Sequence, residues 1–253
     1  WEDFCNTDVE PTRKLAELSI EKGVKRFFYV SSIAIYDAGI KSQTITEKTS
    51  ASKNITAVSP YARSKVENEK ILIKLHNEKG LPLVIFRPGI VLGQNGPPYH
   101  WGIVACPFNS VCRIWGDGNN KLPIVMVEDI SDAMVKAIDI ANIEGESYNL
   151  VSPPTLTAND YIDEFEKRAG ISIKRVITSK IPYYLGELIK WSIKRIGKDP
   201  DAAFPSYAEI KSRSFASIFD SEKAEKQLGW QPTKNYDELV SKGIYDPVDK
   251  FIN

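Results

Sequence analysis

The chain has 253 residues, 42% of them apolar and 26% charged. This is ordinary for a globular protein long enough to bury its own core without staples. Lys plus Arg and Asp plus Glu number 33 each, so the formal charge is zero, and no basic field exists to recruit nucleic acid. No apolar run reaches the roughly 20 residues that a bilayer-spanning helix needs.

Residues 9–22 read as a helix, with Pro11 in its first turn and Gly23 as its stop. Lys25 to Ser31 is predicted as a strand buried on both faces, as in a parallel sheet. A polar stretch follows. Ser59 and Pro60 then supply an N-cap and a first helical residue, and the helix runs to about Lys79 before Gly80. Leu83 to Phe86 is a second buried strand, ending at Arg87-Pro88, and residues 93–110 read as a Gly/Pro/Asn-rich loop. Further on come a strand at Ile124–Val127, a helix at Asp129–Ala141 and a strand at Ser147–Val151. A helix from Thr157 to about Ala169, a strand at Ile173–Ile177, an amphipathic helix over 181–197 and a helix at Ser221–Leu228 complete the series. Strands alternating with helices predict an α/β fold built on a parallel sheet. Residues 1–100 are the more regular part, and residues 101–253 form a looser, loop-rich region suited to covering a substrate.

Three cysteines, Cys5, Cys106 and Cys112, are odd in number and widely spaced. They are expected to be buried thiols in a reducing, cytoplasmic setting rather than a disulfide framework. The two histidines, His76 and His100, have no second ligand nearby in sequence, so no metal site is expected.

Three features carry chemistry. Ser31-Ser32 ends the first buried strand, Tyr61 and Lys65 lie one helical turn apart on the next helix, and Arg87-Pro88-Gly89 ends the following strand. In an open parallel sheet, ligands bind outside the carboxyl ends of the strands, where all three can meet. A free tyrosine, with a pKa of about 10, is too weakly acidic to act as a base at neutral pH, and a neighbouring ammonium favours its phenolate. Such a phenolate can take the proton of a substrate alcohol while its hydride leaves, with the Ser32 hydroxyl holding the substrate oxygen in line. The spacing alone is weak, because Tyr207 and Lys211 share it without a preceding strand that ends in serine. Those two read as structural.

The segments VSSIAIY (30–36), SPYARSK (59–65), RPGIVLG (87–93), GDGNNKLPIVMVEDI (116–130) and FDSEKAEKQLGWQP (219–232) resemble the extended short-chain dehydrogenases/reductases, the NAD-dependent epimerases and dehydratases, over nearly the whole chain. The resemblance implies a Rossmann-like sheet and NAD or NADP as cofactor. It implies Ser32, Tyr61 and Lys65 as catalytic residues. Ser31, Tyr61, Lys65, Arg87, Pro88 and Gly89 would lie beside the cofactor, and Ser32, Ile33, Ile90, Tyr99 and Trp101 beside the substrate. Asp8 falls where many members have an asparagine, and Pro11 replaces a glycine of the same motif.

The family's Gly-rich turn is not found. Gly89, Gly93 and Gly96 have the wrong spacing and follow the wrong strand. The chain therefore reads as lacking the first βα units of that sheet, and alone is expected to be inactive, with a sheet edge and a helix face uncovered. The expected substrate is a nucleotide sugar. Ile90 and Leu122-Pro123-Ile124 depart from the sugar-binding pattern and raise the alternative of a ketone reductase of the steroid-dehydrogenase or flavonol-reductase type. Ile33-Ala34 after Ser32 disfavours dehydration. A non-catalytic interaction module on the same fold is the third reading, against which the intact trio argues.

Smaller features have two readings each. Glu128-Asp129 suit the positive end of a helix better than acid/base work. Tyr99 and Trp101 either line a substrate pocket or anchor their loop. Residues 181–197 suit core or oligomer packing first, including a homodimer surface, and an interfacial membrane helix second. The expected partner is a small molecule, with no nucleic acid and no transmembrane segment.

Overall fold

The computed structural model describes residues 1–36, 43–52, 58–100, 102–108, 111–153, 156–199, 202, 204–205, 207, 210–211 and 217–252; the side chains of 105–108 and 178 are also outside the description. It is an α/β protein with a Rossmann-like parallel sheet.

The chain is helical from its start. A short α1 (Glu2–Phe4) passes through a wide π turn over Cys5–Val9 into α2 (Glu10–Glu21), so the helix begins earlier than the sequence pattern suggests. Pro11 has no N–H to donate to the preceding turn, and a loosened ladder there is its natural consequence. Next come β1 (Phe27–Val30), a 3₁₀ turn at Ile33–Ile35, the short β2 (Thr44–Ile45) and α3 (Pro60–Lys79). The Ser59 hydroxyl caps α3 by accepting from the Ala62 N–H at 3.3 Å, and Gly80, at φ 71°, closes it in the left-handed region. β3 (Leu83–Pro88) follows, buried along its whole length.

The central sheet runs β1-β3-β8, all parallel, with β8 (Ser147–Leu150) pairing Phe86 with Tyr148. Alternate residues face opposite sides. Phe27, Tyr29, Leu83 and Ile85 pack with Leu72 and Leu75 of α3 and Ala16 of α2. Val84, Phe86, Tyr148 and Leu150 pack on the other face with Ile130, Leu228 and Trp230. That double burial explains why β3 has no polar alternation.

One edge of β1 is bound to β3, with the Phe27 N–H donating to Pro82 and the Ser31 N–H to Phe86. Among the described residues no strand pairs with its other edge. Leu15 and Leu18 of α2 and Val30 of β1 are exposed.

After β3 the chain makes β4 (Ile90–Leu92), then β5 (Val104–Phe108), β6 (Val111–Trp115), β7 (Ile124–Met126) and α4 (Val127–Lys136). β4 pairs in parallel with β7, and β5-β6-β9 forms a separate sheet, β9 being Lys174–Thr178. Residues 93–110 are thus not all loop: β5 forms there because β6 pairs with it across a hairpin, a partner that local composition does not reveal. α4 ends at Lys136, short of Ala141.

Helix α5 (Ala158–Ala169) opens with a reciprocal capping box between Thr157 and Asp160. Helix α6 (Lys180–Ile196), β10 (Ile218–Phe219), α7 (Glu222–Leu228), α8 (Tyr236–Val240) and α9 (Asp246–Ile252) complete the chain, with β10 pairing to β2. A second core, including Leu92, Ile114, Met126, Tyr161, Phe165 and Ile244, lies under this part.

One expectation is corrected here. Cys112 is disulfide-bonded, whereas Cys5 is a free thiol. Cys112 lies on β6, whose neighbour in the hairpin is β5. Spacing read along the chain hides what a hairpin brings together.

Candidate active site

Helix α3 runs back antiparallel to the strands it connects, so its first turn lies at their carboxyl ends. Tyr61 stands in that turn, exposed, and Lys65 follows one turn later on the same face. The Lys65 ammonium sits 5.6 Å from the centre of the Tyr61 ring and 5.3 Å from that of Tyr29. Its side chain is only 15% exposed, so its charge is screened less than that of a free surface lysine. Asp8, at the wide turn before α2, reaches the same place. One of its carboxylate oxygens is 3.7 Å from Lys65 Nζ, and the other accepts from the Ser64 hydroxyl at 2.8 Å.

Ser32 follows β1. Its side chain accepts from the Ala34 N–H at 3.1 Å and so caps the 3₁₀ turn that packs against α3. Ser32, Tyr61 and Lys65 are thus carried on two elements in contact at the carboxyl end of β1. Ser31 is buried, and its hydroxyl has no hydrogen-bond partner among the described residues; the same holds for Ser152, just past the carboxyl end of β8. Buried hydroxyls without partners are uncommon, and here two lie where an open parallel sheet receives its ligand.

Tyr29 and Asn68 add polar groups that the sequence pattern did not single out. Burial raises the pKa of Tyr29, while Asn68 draws it partly back. Yet neither the Tyr29 hydroxyl nor the Asn68 side chain has a hydrogen-bond partner among the described residues, so the two are neighbours and not a bonded pair.

Arg87 behaves differently from a ligand-facing residue. Its Nε and Nη2 donate to Glu69 of α3 at 3.0 and 2.7 Å, and Nη1 donates to the Tyr36 hydroxyl at 2.7 Å. That hydroxyl donates to Asn149 Oδ1 at 2.8 Å, and the Asn149 N–H donates to Glu47 at 2.7 Å. Burial works against the charged guanidinium, but the Glu69 carboxylate outweighs it and the Arg87 pKa is raised. The Tyr36 pKa is raised too, first by burial. This network ties α3, the turn after β1, β3 and β8 together beneath the site. The signal for it was an arginine closing a wholly apolar strand, which requires a buried acid.

Pro88 is the last residue of β3. Gly89 is required by packing: a Cβ there would lie 2.2 Å from the Pro123 carbonyl oxygen. Its N–H donates to Leu150 and that of Ile90 to Pro123. The backbone N–H of Gly89 and the side chain of Arg87 are therefore both engaged within the protein. Ile33 is half-buried against Ile35, Tyr36, Ile45 and Val66, and Ile90 half-buried against the second core. Tyr99 stacks on Phe165 at 4.8 Å and meets Phe251 edge-on at 5.9 Å, which anchors its loop to α5 and α9. Trp101 lies outside the described residues.

Asp129 holds the chain after α7: its carboxylate accepts from the N–H and hydroxyl of Thr233 at 2.8 and 3.0 Å. His76 Nδ1 is 2.7 Å from the Leu81 carbonyl, and His100 Nδ1 accepts from Gly102. No cluster of three metal-ligating side chains occurs among the described residues.

A nicotinamide cofactor suits this donor set at one end. The Ser31 hydroxyl, unpartnered among the described residues, the Lys65 ammonium and the Tyr61 phenol are polar groups at strand ends, of the kind that can hydrogen-bond a ribose. The sequence offers no Gly-rich turn after a strand for the pyrophosphate.

The sequence profile of the NAD dependent epimerase/dehydratase family matches residues 1–150. UDP-glucose 4-epimerase of Vibrio cholerae is 25% identical over 239 residues, covering 90% of this chain and 64% of that protein. An uncharacterized protein of Sinorhizobium fredii is 28% identical over 245 residues, 94% of this chain and 57% of its own length. A 3beta-hydroxysteroid-dehydrogenase/decarboxylase of Arabidopsis thaliana is 24% identical over 260 residues, 97% of this chain and 45% of its own. The chain thus spans about half the length of such curated relatives. Among solved structures, UDP-glucuronic acid 4-epimerase from Bacillus cereus in complex with NAD superposes with a TM-score of 0.72 at 19% identity, over 100% of this chain and 72% of that one. At that identity the likeness is one of fold.

Proposed function

Because the chain belongs to the NAD dependent epimerase/dehydratase family, we propose that it carries the proton-transfer part of the active site of an NAD(P)-dependent epimerase or oxidoreductase acting on a secondary alcohol of a nucleotide sugar. The observation that carries this reading is the Tyr61–Lys65 pair on the face of α3 beside Tyr29, next to the turn capped by Ser32. When bound, the nicotinamide cofactor supplies a hydride acceptor and donor. Tyr61 takes the proton of the substrate hydroxyl as the alcohol is oxidised and returns one when the ketone is reduced. The Lys65 ammonium stabilises the phenolate between those events and donates to the ribose hydroxyls. The Ser32 hydroxyl holds the substrate oxygen. Ser31 and Pro88 lie along the cofactor, whereas Arg87 acts from beneath by fixing α3 to β3. Ile33 and Ile90 offer apolar surface to the substrate, and Tyr99 positions its loop. The chain by itself is expected to be inactive, since it supplies no pyrophosphate-binding turn.

A panel of UDP- and dTDP-sugars incubated with the whole protein and NAD tests the reading. Isomerised sugar nucleotide, or stoichiometric NADH, is the expected product. Turnover confined to hydrophobic ketones with NAD(P)H would favour the second reading, a ketone reductase. The apolar Ile90 and the steroid-dehydrogenase relative support that alternative.

A further inference from the structure

Helix α6 is amphipathic in an unusual sense: no residue of it is buried. Ile181, Leu185, Ile189, Ile193 and Ile196 recur at three- and four-residue spacing and are 65, 53, 61, 65 and 83% exposed. They form one stripe along the outer face. The opposite side attaches the helix to the body through aromatic contacts, Tyr183 against Trp115 at 5.2 Å and Trp191 against Phe204 at 5.1 Å. The stripe is therefore not the face used in folding, and a continuous apolar patch of this kind marks an interaction site.

We propose that α6 is an interfacial helix that lays this stripe into the surface of an anionic lipid bilayer. The charge distribution points to that occupant. Residues 180–199 hold five basic residues (Lys180, Lys190, Lys194, Arg195, Lys198) and two acidic ones (Glu187, Asp199), in a chain whose Lys plus Arg and Asp plus Glu are equal at 33 each. At about 100° per residue, Lys190 and Arg195 fall roughly 100–120° to either side of the stripe's centre. Their long stems can follow the apolar surface while their charged ends meet lipid phosphates. The ion pairs Lys190–Glu187 at 2.8 Å and Lys194–Asp199 at 3.2 Å are exposed ones, of the weak kind that exchanges readily. Ser192, the polar residue within the stripe, donates its hydroxyl to the Leu188 carbonyl at 2.9 Å, so it enters the interface already satisfied.

A second copy of the chain fits less well. Glu187 is the one acid on the helix and is already paired with Lys190, so an opposing α6 would bring basic residues together without acidic partners. Among the described residues no helix is long and apolar enough to cross a membrane, so the helix lies on the bilayer and does not span it.

Vesicle co-sedimentation of the whole protein tests this without any need for catalysis, so its failure would leave the proposed reaction untouched. The vesicles are phosphatidylcholine alone, and phosphatidylcholine mixed equally with phosphatidylglycerol. Binding to the mixed vesicles is expected, at least about tenfold weaker on phosphatidylcholine alone and weakened by salt. The double variant Ile189→Glu/Ile193→Glu, and separately Lys190→Glu/Arg195→Glu, should each lose about tenfold or more in binding while melting like the parent protein. These positions are exposed, so the fold does not depend on them. Failure of the parent to bind mixed vesicles, or equal binding to neutral ones, overturns the proposal. So does a parent dimer, seen by light scattering, that becomes a monomer in the stripe variant.

Discussion

Two segments of this chain carry tyrosine and lysine one helical turn apart, and they show what that spacing means. Tyr61 and Tyr207 are nearly equally exposed, at 44 and 41%. Tyr61 sits in the first turn of α3, at strand ends. Its lysine is largely covered, sits beside Tyr29 and Asp8, and packs near the turn capped by Ser32. Tyr207 instead meets Tyr184 of α6 edge-on at 5.2 Å, in a surface cluster. Sequence spacing provides a shared face; the sheet topology decides what that face meets.

The comparison can be tested from its strongest contrast downward. Lys65→Ala should lower turnover of the whole protein by roughly a hundredfold or more, in line with the loss of a positioned acid/base partner, whereas Lys211→Ala should leave it within about twofold; steady-state kinetics on both variants decides. Next is the support beneath α3. Glu69→Ala strands the buried Arg87 guanidinium and should cost about 3–5 kcal/mol in denaturant unfolding. Gly89→Ala forces a methyl against the Pro123 carbonyl and should cost about 1–3 kcal/mol, by the same measurement. Removing the Thr157 cap of α5 by Thr157→Ala should cost about 1 kcal/mol without affecting the site.

The smallest effect concerns pH. Burial lowers the pKa of His100 below its ordinary 6.5. The unfolded chain then binds this proton more tightly than the folded one, so stability falls as pH drops through 6.5 toward the lowered value. His100→Gln should flatten that part of a melting-temperature profile.

Much of the framework around the candidate site was legible because its signals are local. Ser59-Pro60 and Gly80 delimit α3, and an unbroken apolar run marks β3. Thr157 announced the start of α5 in the same way. What escaped depends on contacts between distant segments. β5 exists through its pairing with β6, the Cys112 disulfide through that hairpin, and Arg87's engagement with Glu69 and Tyr36 through the packing of α3 on the sheet. Asp8 was visible only as an unusual residue at a family position; its approach to Lys65 follows from the wide turn after α1.

Whether the Tyr61 hydroxyl moves the proton is decided by comparing Tyr61→Phe with Tyr207→Phe in the whole protein, measuring turnover alongside NADH binding by Trp fluorescence. Tyr61→Phe should lose about a thousandfold in turnover with cofactor binding retained, and Tyr207→Phe should lose none. A Tyr61→Phe protein that turns over like its parent would contradict that role.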